Sequence, residues 1–416
     1  MNKAAIDFYT IDSQRTKNLW SIKLEGFQMI SFKGRRNRKN PKSNEEIDTG
    51  RRCLLKSAAV VAVGSTALGF PHISKAQTTT LKMQTAYEAN DVYTEMARQY
   101  VDRVEAMSGG KIKITLYTSG AVVKTFQLQE AVHKGVLDGV HTVTAYWYGK
   151  HKAASLFGTG PIFGANAQQL LAWIHRGGGK ELYRELVQDI LKLNLVGFFT
   201  YPFPTQPLGW FKEEIKNTEQ LKNLKYRTVG LAADVMQEMG LEVLQLPGDG
   251  IIPAFERGAI DAFEYANPTS DRQFGAQKVS KFYMMGSYHQ AAEFFEIIFN
   301  KDVFESLPKE HQAILEYAAD AVNISNYSLA LERHSKDLEL LIKEDGVNVY
   351  RTPQSIMDEQ LKSWDKVLAD LMKDPFFKKV VDSQKEWIER VAFYDLINTA
   401  DFKRAYMHYF PGKIDF

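Results

Sequence analysis

The sequence predicts an α/β protein of two similar lobes with a ligand cleft between them, followed by a run of C-terminal helices. Three observations predict it. Strand and helix patterns alternate regularly as far as Tyr265, an Ala-x3-Gly-x2-Asp pattern recurs at like positions in two of these runs, and from Ser306 onward the periodicity turns helical.

Leu81–Tyr87 reads as the first strand. Tyr93–Met107 then places Met96, Ala97, Tyr100, Val101, Val104 and Met107 on one helical face, and Gly109-Gly110 stops that helix. Lys111–Tyr117 alternates polar and apolar residues, as a strand with one wet face does. A helix over Phe126–Lys134, Gly135 as its cap and a strand over Val136–Val143 follow. The second half repeats the theme with a strand over Leu224–Val229, a helix over Ala232–Met239 closed by Gly240, and a strand over Leu241–Leu246. Pro253–Arg257, Gly258 and Ala259–Tyr265 then give helix, cap and strand. Ala131–Asp138 and Ala254–Asp261 share the pattern: a helix ended by a glycine able to adopt positive φ, then a strand opened by an apolar pair. Leu195–Phe203, almost wholly apolar, threads from one lobe to the other. After Ser306-Leu307-Pro308 the helices continue through 326–341, 354–372 and 376–394, and Trp364, Trp387, Phe393 and Tyr394 make them packing elements.

With 416 residues, 44% hydrophobic and 25% charged, the chain has apolar material for two ordinary domains. Residues 1–76 carry 14 Lys and Arg against 6 Asp and Glu, so the near-neutral total hides a basic leader and a mildly acidic body. Such a body, without a long basic run, argues against nucleic acid as partner. The leader itself has the layout of an export signal: Arg51-Arg52-Cys53-Leu54-Leu55-Lys56, a weakly apolar run over Ser57–Phe70, and Ser74-Lys75-Ala76 before a cut. Its twin arginine predicts export through the twin-arginine translocase, and its apolar run is too short to span a bilayer. Residues 1–50 are then an extension absent from the mature protein, or Met29 is the start. Cys53 is the single cysteine, which leaves the body without disulfides, a zinc ribbon or a thiol nucleophile.

No HExxH, Gly-x-Ser-x-Gly, P-loop or dinucleotide-binding glycine pattern occurs. Gly177-Gly178-Gly179 precedes a helix rather than following a strand and reads as a flexible joint. His141, His151 and His289 lack metal-ligand spacing and read as structural. What remains is a set of polar residues among aromatics. Arg227, in the Leu224–Val229 strand, is either a fork gripping a carboxylate through two parallel hydrogen bonds or a surface residue in an ion pair. Glu264, between Phe263 and Tyr265, needs a cation or a donor, because burying a bare carboxylate is costly. Gln206 stands at the lobe crossing after Pro204-Thr205, and Gln290 follows Tyr288-His289. Two amide oxygens and a carboxylate suit a hard cation such as Na+ or Ca2+.

Residue types at Gly135–Asp138, Leu221–Arg227, Gly240, Leu246-Pro247, Gly258–Glu264, Phe299-Asn300-Lys301 and Leu307-Pro308 form a joint pattern. In it the chain resembles the periplasmic solute-binding proteins of TRAP transporters, the DctP family, from about Leu81 to Met372, and within them the α-keto-acid and lactate branch. The resemblance implies a periplasmic binding protein fold of two α/β lobes joined by long strands and a crossing helix. It also implies Arg227 as the clamp on the solute carboxylate. A Gln before a Gly-Trp pair matches Gln206 ahead of Gly209-Trp210, and with Glu264, Tyr265 and Gln290 it marks the metal position, meeting Na+ or Ca2+. Tyr265 stands where the branch carries Trp. Gln206, Tyr265, Tyr87, Tyr146, Phe163 and Asn166 complete the expected solute site.

The expected domains are 77–200 with 291–330 for one lobe, 201–290 with 331–372 for the other, and a helical segment over 373–416, for which the resemblance implies a role in pairing two chains into a homodimer. The expected activity is delivery of a 2-oxo or 2-hydroxy monocarboxylate from the periplasm to the TRAP membrane permease, without catalysis. The rivals are a metal-free binder of another organic acid, an exported enzyme acting on carboxylates, and a sensor that reports a solute to a membrane receptor.

Overall fold

The computed structural model describes residues 78–161 and 163–413; the expected extension and export signal, residues 1–76, lie outside the described residues. Two mixed sheets organise them. The first has five strands in the order Ile112–Tyr117, Thr79–Thr85, Gly139–Val143, Phe295–Asn300, Leu195–Thr200. Its first three strands run parallel, and Phe295–Asn300 is antiparallel to both neighbours. The second sheet has six, in the order Asn348–Arg351, Phe282–Met285, Gly209–Phe211, Ala262–Phe263, Lys225–Arg227, Glu242–Leu244. A two-stranded ladder, Thr159–Gly160 with Ala292–Glu293, stands apart from both.

The recurring Ala-x3-Gly-x2-Asp pattern has one physical origin in both halves. Gly135 and Gly258 each take φ of +72°, closing a helix with the next N–H returned to the alanine carbonyl: Val136 to Ala131 and Ala259 to Ala254, both at 2.9 Å. Each aspartate then locks onto a lysine of the neighbouring strand from both sides. Asp138 donates its N–H to Lys82 O at 2.9 Å and accepts from Lys82 N at 2.7 Å, while Asp261 does the same with Lys225 at 2.7 and 3.2 Å. The pattern therefore sets the register at which a new strand enters each sheet.

A single helix, Lys309–Lys343, 35 residues long, serves both halves. Its early turns bury Leu315, Ala318, Ala319 and Val322 with Tyr100 and Val104 against the first sheet, and Leu341 packs with Trp210, Phe263 and Tyr283 of the second. Three features differ from the sequence reading. Asn348–Arg351 interrupts the helical C-terminal region because it adds a parallel edge strand beside Phe282–Met285. Phe295–Asn300, every residue of it buried, carries no alternation by which to recognise a strand. The triple glycine is a packed corner rather than a loose joint: a Cβ on Gly177 would lie 2.4 Å from the Trp173 ring, and one on Gly179 2.6 Å from Ile174 Cα. No helix among the described residues is long and apolar enough to cross a membrane.

Glu296 lies wholly buried in the Phe295–Asn300 strand, accepting from Trp147 Nε1 and the Tyr183 hydroxyl, each at 2.5 Å. Burial pushes its carboxyl up to about 7. The unfolded chain releases that proton near the ordinary glutamate value, about 4.3, so the folded state binds more protons between the two values and loses stability as pH rises through them. Glu296→Gln should flatten the fall in unfolding free energy between about pH 5 and pH 8, a difference of roughly 3 kcal/mol at about 1.4 kcal/mol per unit; urea unfolding across that range measures it.

Candidate functional site

The site begins where the chain crosses between the sheets. Pro202, Pro204 and Pro207 have no N–H and keep Tyr201–Leu208 out of either sheet. Two of the remaining donors pair instead with the returning segment, Phe203 N with Glu293 O at 2.9 Å and Gln206 N with Gln290 O at 3.2 Å, while Tyr201 N donates to Asn323 Oδ1 at 2.6 Å. Gln206, Gln290 and Glu293 are thus held on two adjoining crossings. Gly209, at φ of +111°, follows; a Cβ there would sit 2.1 Å from Phe263 O and 2.8 Å from Glu264 Cα, so only glycine lets the crossing lie against Glu264.

Arg227 and Glu264 stand at the ends of two parallel neighbours in the second sheet, and each is 1% exposed. Arg227 donates through Nε and Nη2 to Leu246 O, at 2.9 and 2.6 Å, and through Nη1 to Glu264 O at 2.7 Å and Glu264 Oε1 at 3.0 Å. It is therefore an ion-paired arginine, as one reading of the sequence had it, but a buried one. Four of its five N–H groups are committed, which leaves one on Nη2, and a second arises where Glu264 Oε1 yields.

The charges do not balance. Glu293 accepts from Gln206 Nε2 and is also buried, so two carboxylates face one guanidinium. Burial drives the Glu264 carboxyl up, with Arg227 and then the Thr228 hydroxyl opposing. Burial and the nearby Glu264 hold Glu293 well above the usual range, against Gln206 and Arg227. Three buried acceptor oxygens, Gln206 Oε1, Glu264 Oε2 and Gln290 Oε1, have no hydrogen-bond partner. The Thr228 hydroxyl, itself without a partner, can answer Glu264, but the two amide oxygens and the surplus negative charge remain, and these fit a hard cation. Among the described residues no cluster of three His, Cys, Asp or Glu side chains suits a metal, so the amide oxygens are essential to such a set.

Beside these groups opens a cleft of about 750 Å³, counting its mouth, with Tyr87, Asp91 and Tyr146 on one wall and Gly248, Tyr265 and Phe274 on the other. The Tyr265 hydroxyl donates to Asp91 Oδ2 at 2.8 Å, the Ser270 hydroxyl donates to Asp91 Oδ1 at 2.9 Å, and Val92 N donates to Gln273 Oε1 at 3.0 Å. These bonds tie the turn after the first strand to the segment after Glu264. The Tyr265 hydroxyl is held at Asp91, and the residue's other oxygen is its main-chain carbonyl.

The structure brings Arg227, Gln206, Glu264, Gln290, Tyr265, Tyr87 and Tyr146 into one neighbourhood. It does not bring Phe163 and Asn166 there. Phe163 faces Trp364 at 6.4 Å and lies under the Lys385 ammonium, and Asn166 caps the Ala167–Arg176 helix through a capping box with Gln169. The histidines are structural. His141 pairs with Thr85 Oγ1 and His289 with Ser287 Oγ, and burial lowers each imidazole to about 3; His151 caps a turn by accepting from Ala153 N. Sequence reasoning missed Asp91 and Glu293. Glu293 was open to the argument used for Glu264, since it too is a carboxylate in an apolar run, Ala292-Glu293-Phe294-Phe295.

The model of bacterial extracellular solute-binding proteins, family 7, matches residues 83–379. A monocarboxylate 2-oxoacid-binding periplasmic protein of Nostoc sp. strain PCC 7120 is 32% identical over 74% of this chain and 83% of its own length. A TRAP transporter solute-binding protein from Bordetella bronchiseptica is 29% identical, with a TM-score of 0.74 over 80% of this chain and 97% of that one. It is a mixed-occupancy dimer with copurified calcium and picolinate in one site against an apo site. One from Pseudoalteromonas atlantica, with bound sodium and pyruvate, is 26% identical, with a TM-score of 0.73 over 80% of this chain and all of that one.

Tyr265→Phe deletes one tie across the cleft while keeping the ring. A hydrogen bond to a charged partner contributes about 1.5–3 kcal/mol, so the variant should populate a more open form; small-angle scattering of the ligand-free protein should give a larger radius of gyration than the parent.

Proposed function

The chain belongs to family 7 of the bacterial extracellular solute-binding proteins, and on that premise we propose that it captures a small 2-oxo or 2-hydroxy monocarboxylate with a bound Na+ or Ca2+ and passes it, unchanged, to the membrane subunits of a TRAP transporter. The observation that carries this reading is the trio of buried, unpartnered oxygens on Gln206, Glu264 and Gln290 beside the Arg227–Glu264 pair. A cation, when bound, neutralises the surplus carboxylate charge and attracts an anionic oxygen donor. Gln206, Glu264 and Gln290 would hold it. Arg227 would supply its remaining Nη2 N–H to the solute carboxylate. Tyr87, Tyr146 and Tyr265 exclude water from the apolar remainder of the solute.

Pyruvate and picolinate, held by the Pseudoalteromonas and Bordetella relatives, share one chemical feature: a carboxylate with a lone-pair donor on the adjacent atom, oxygen in one and nitrogen in the other. That pairing suits simultaneous contact with a cation and a guanidinium. The tyrosine-lined cleft favours the aromatic acid as the second candidate solute.

The same premise supports a periplasmic location, reached through the twin-arginine signal over residues 51–76, and a homodimer. Phe393, Tyr394, Leu396 and Ile397 on the Pro375–Asn398 helix, with Phe402 and Tyr409 beyond it, are between 64% and 78% exposed, an apolar surface that a second copy would cover. A dimer that falls to monomer in sedimentation on joint Leu396→Asp and Ile397→Asp substitution is expected; a monomeric parent would remove the dimer from the proposal.

Calorimetry after chelation, with pyruvate, lactate and picolinate, each with and without Na+ or Ca2+, tests the central reading. Tight binding only with the ion is expected, with the recovered acid chemically intact. Arg227→Ala should weaken solute binding about 100-fold or more, since truncating one partner of a desolvated, hydrogen-bonded charge pair between protein and ligand costs about 2–5 kcal/mol of binding, and Arg227→Lys should recover part of it. Ion-independent binding of an unrelated acid would sink the reading.

A further inference from the structure

Glu293 is unassigned by everything above except as surplus charge, yet it makes the bond that decides which end of Gln206 faces the site. The two ends of a glutamine amide are nearly identical in shape and opposite in chemistry, so packing alone does not choose between them. Here an acceptor chooses. Gln206 Nε2 donates to Glu293 Oε2, and the amide oxygen is thereby turned the other way, buried and without a partner. Gln290 follows the same rule: its Nε2 donates to Val229 O at 3.3 Å and its Oε1 is left unpartnered. In both residues an oxygen acceptor consumes the nitrogen end.

The backbone holds Glu293 firmly in that position. It pairs with Thr159 in the two-stranded ladder, and its carbonyl accepts from Phe203 N at 2.9 Å, three residues before Gln206 on the adjoining crossing. The carboxylate and the amide it orients therefore sit on two segments already bonded to each other.

Resting on the cation reading above, we propose that Glu293 is a positioning residue for the cation subsite: it fixes the Gln206 amide so that oxygen, not nitrogen, is presented to the ion. Without it the amide is free to turn its NH2 group inward, where a donor replaces a ligand and repels a cation. Partners of this kind, one bond removed from an ion, typically change affinity by about 10–100-fold when altered.

The test is a double-mutant cycle read by calorimetric titration of chelated protein with CaCl2 alone. Glu293→Gln, which offers either end to Gln206, should weaken calcium binding at least about tenfold. On a Gln206→Ala background the same change should alter it less than about threefold, because nothing remains to orient. Equal losses in both backgrounds would mean that Glu293 acts through its charge, and no loss in the parent would mean that it does not act on the ion; either overturns the proposal. If Glu293→Gln does not fold, Glu293→Asp, which keeps the charge but shortens the reach to the Gln206 amide, should weaken calcium binding in the parent and alter it less than about threefold on the Gln206→Ala background; an unchanged affinity in the parent also overturns the proposal. A folded parent that binds neither calcium nor sodium sinks the cation reading itself, an outcome distinct from a flat cycle on a parent that binds.

Discussion

Burying Glu264 and Glu293 against a single guanidinium is the constraint around which this molecule is arranged. A buried carboxylate is tolerated only when paired or richly hydrogen-bonded. Arg227 answers for Glu264 Oε1 and its carbonyl, and Gln206 answers for Glu293, but Glu264 Oε2 and two amide oxygens are left unanswered. A site that leaves three acceptors open beside unbalanced negative charge is prepared for something positive. A solute that is itself an anion then enters a place whose electrostatics would otherwise reject it, which is why cation and acid belong to one proposal rather than two.

That arrangement depends on parts of the chain far apart in sequence. The crossing segment with Gln206 is kept out of the sheets by its prolines, and the returning segment with Gln290 and Glu293 is bonded to it. Gly209 allows the crossing to press on the strand end that carries Glu264. The long helix spans both sheets and fixes them to one frame, while the bonds from Asp91 to Tyr265 and Ser270 join the two walls of the cleft at its edge. The crossings are covalent and are bonded to each other through their main chains, whereas every bond across the edge depends on a side chain. Opening at the edge with the crossings intact is the motion this distribution of bonds favours.

Tyr265 shows how one residue serves two ends. Its ring packs on Phe274 and against Gly248, where a Cβ would lie 2.7 Å from it, so glycine at 248 gives the ring its place. Its hydroxyl reaches Asp91 across the cleft. A tryptophan at this position would keep an aromatic wall and a single donor, but on a different reach, so the tie to Asp91 depends on tyrosine here.

The sequence by itself determined the local elements, because their causes are local: helix faces, glycine caps and the paired Ala-x3-Gly-x2-Asp motif are written within a few residues. It also identified Arg227, Glu264, Gln206 and Gln290 as residues of interest, since charge or amide among aromatics and prolines is visible on the page. Tertiary structure alone decided who meets whom. Phe163 and Asn166 look as much like cleft residues as Tyr146 does, yet they serve a helix contact and a cap. The strand Phe295–Asn300 is uniformly buried and so lost its alternation, and Glu293 and Asp91 acquire meaning only opposite Gln206 and Tyr265, from which they lie 87 and 174 residues away in the chain. Which end of an amide faces a site, and which carboxylate lacks a counter-charge, are properties of neighbours in space, and no pattern along the chain encodes them.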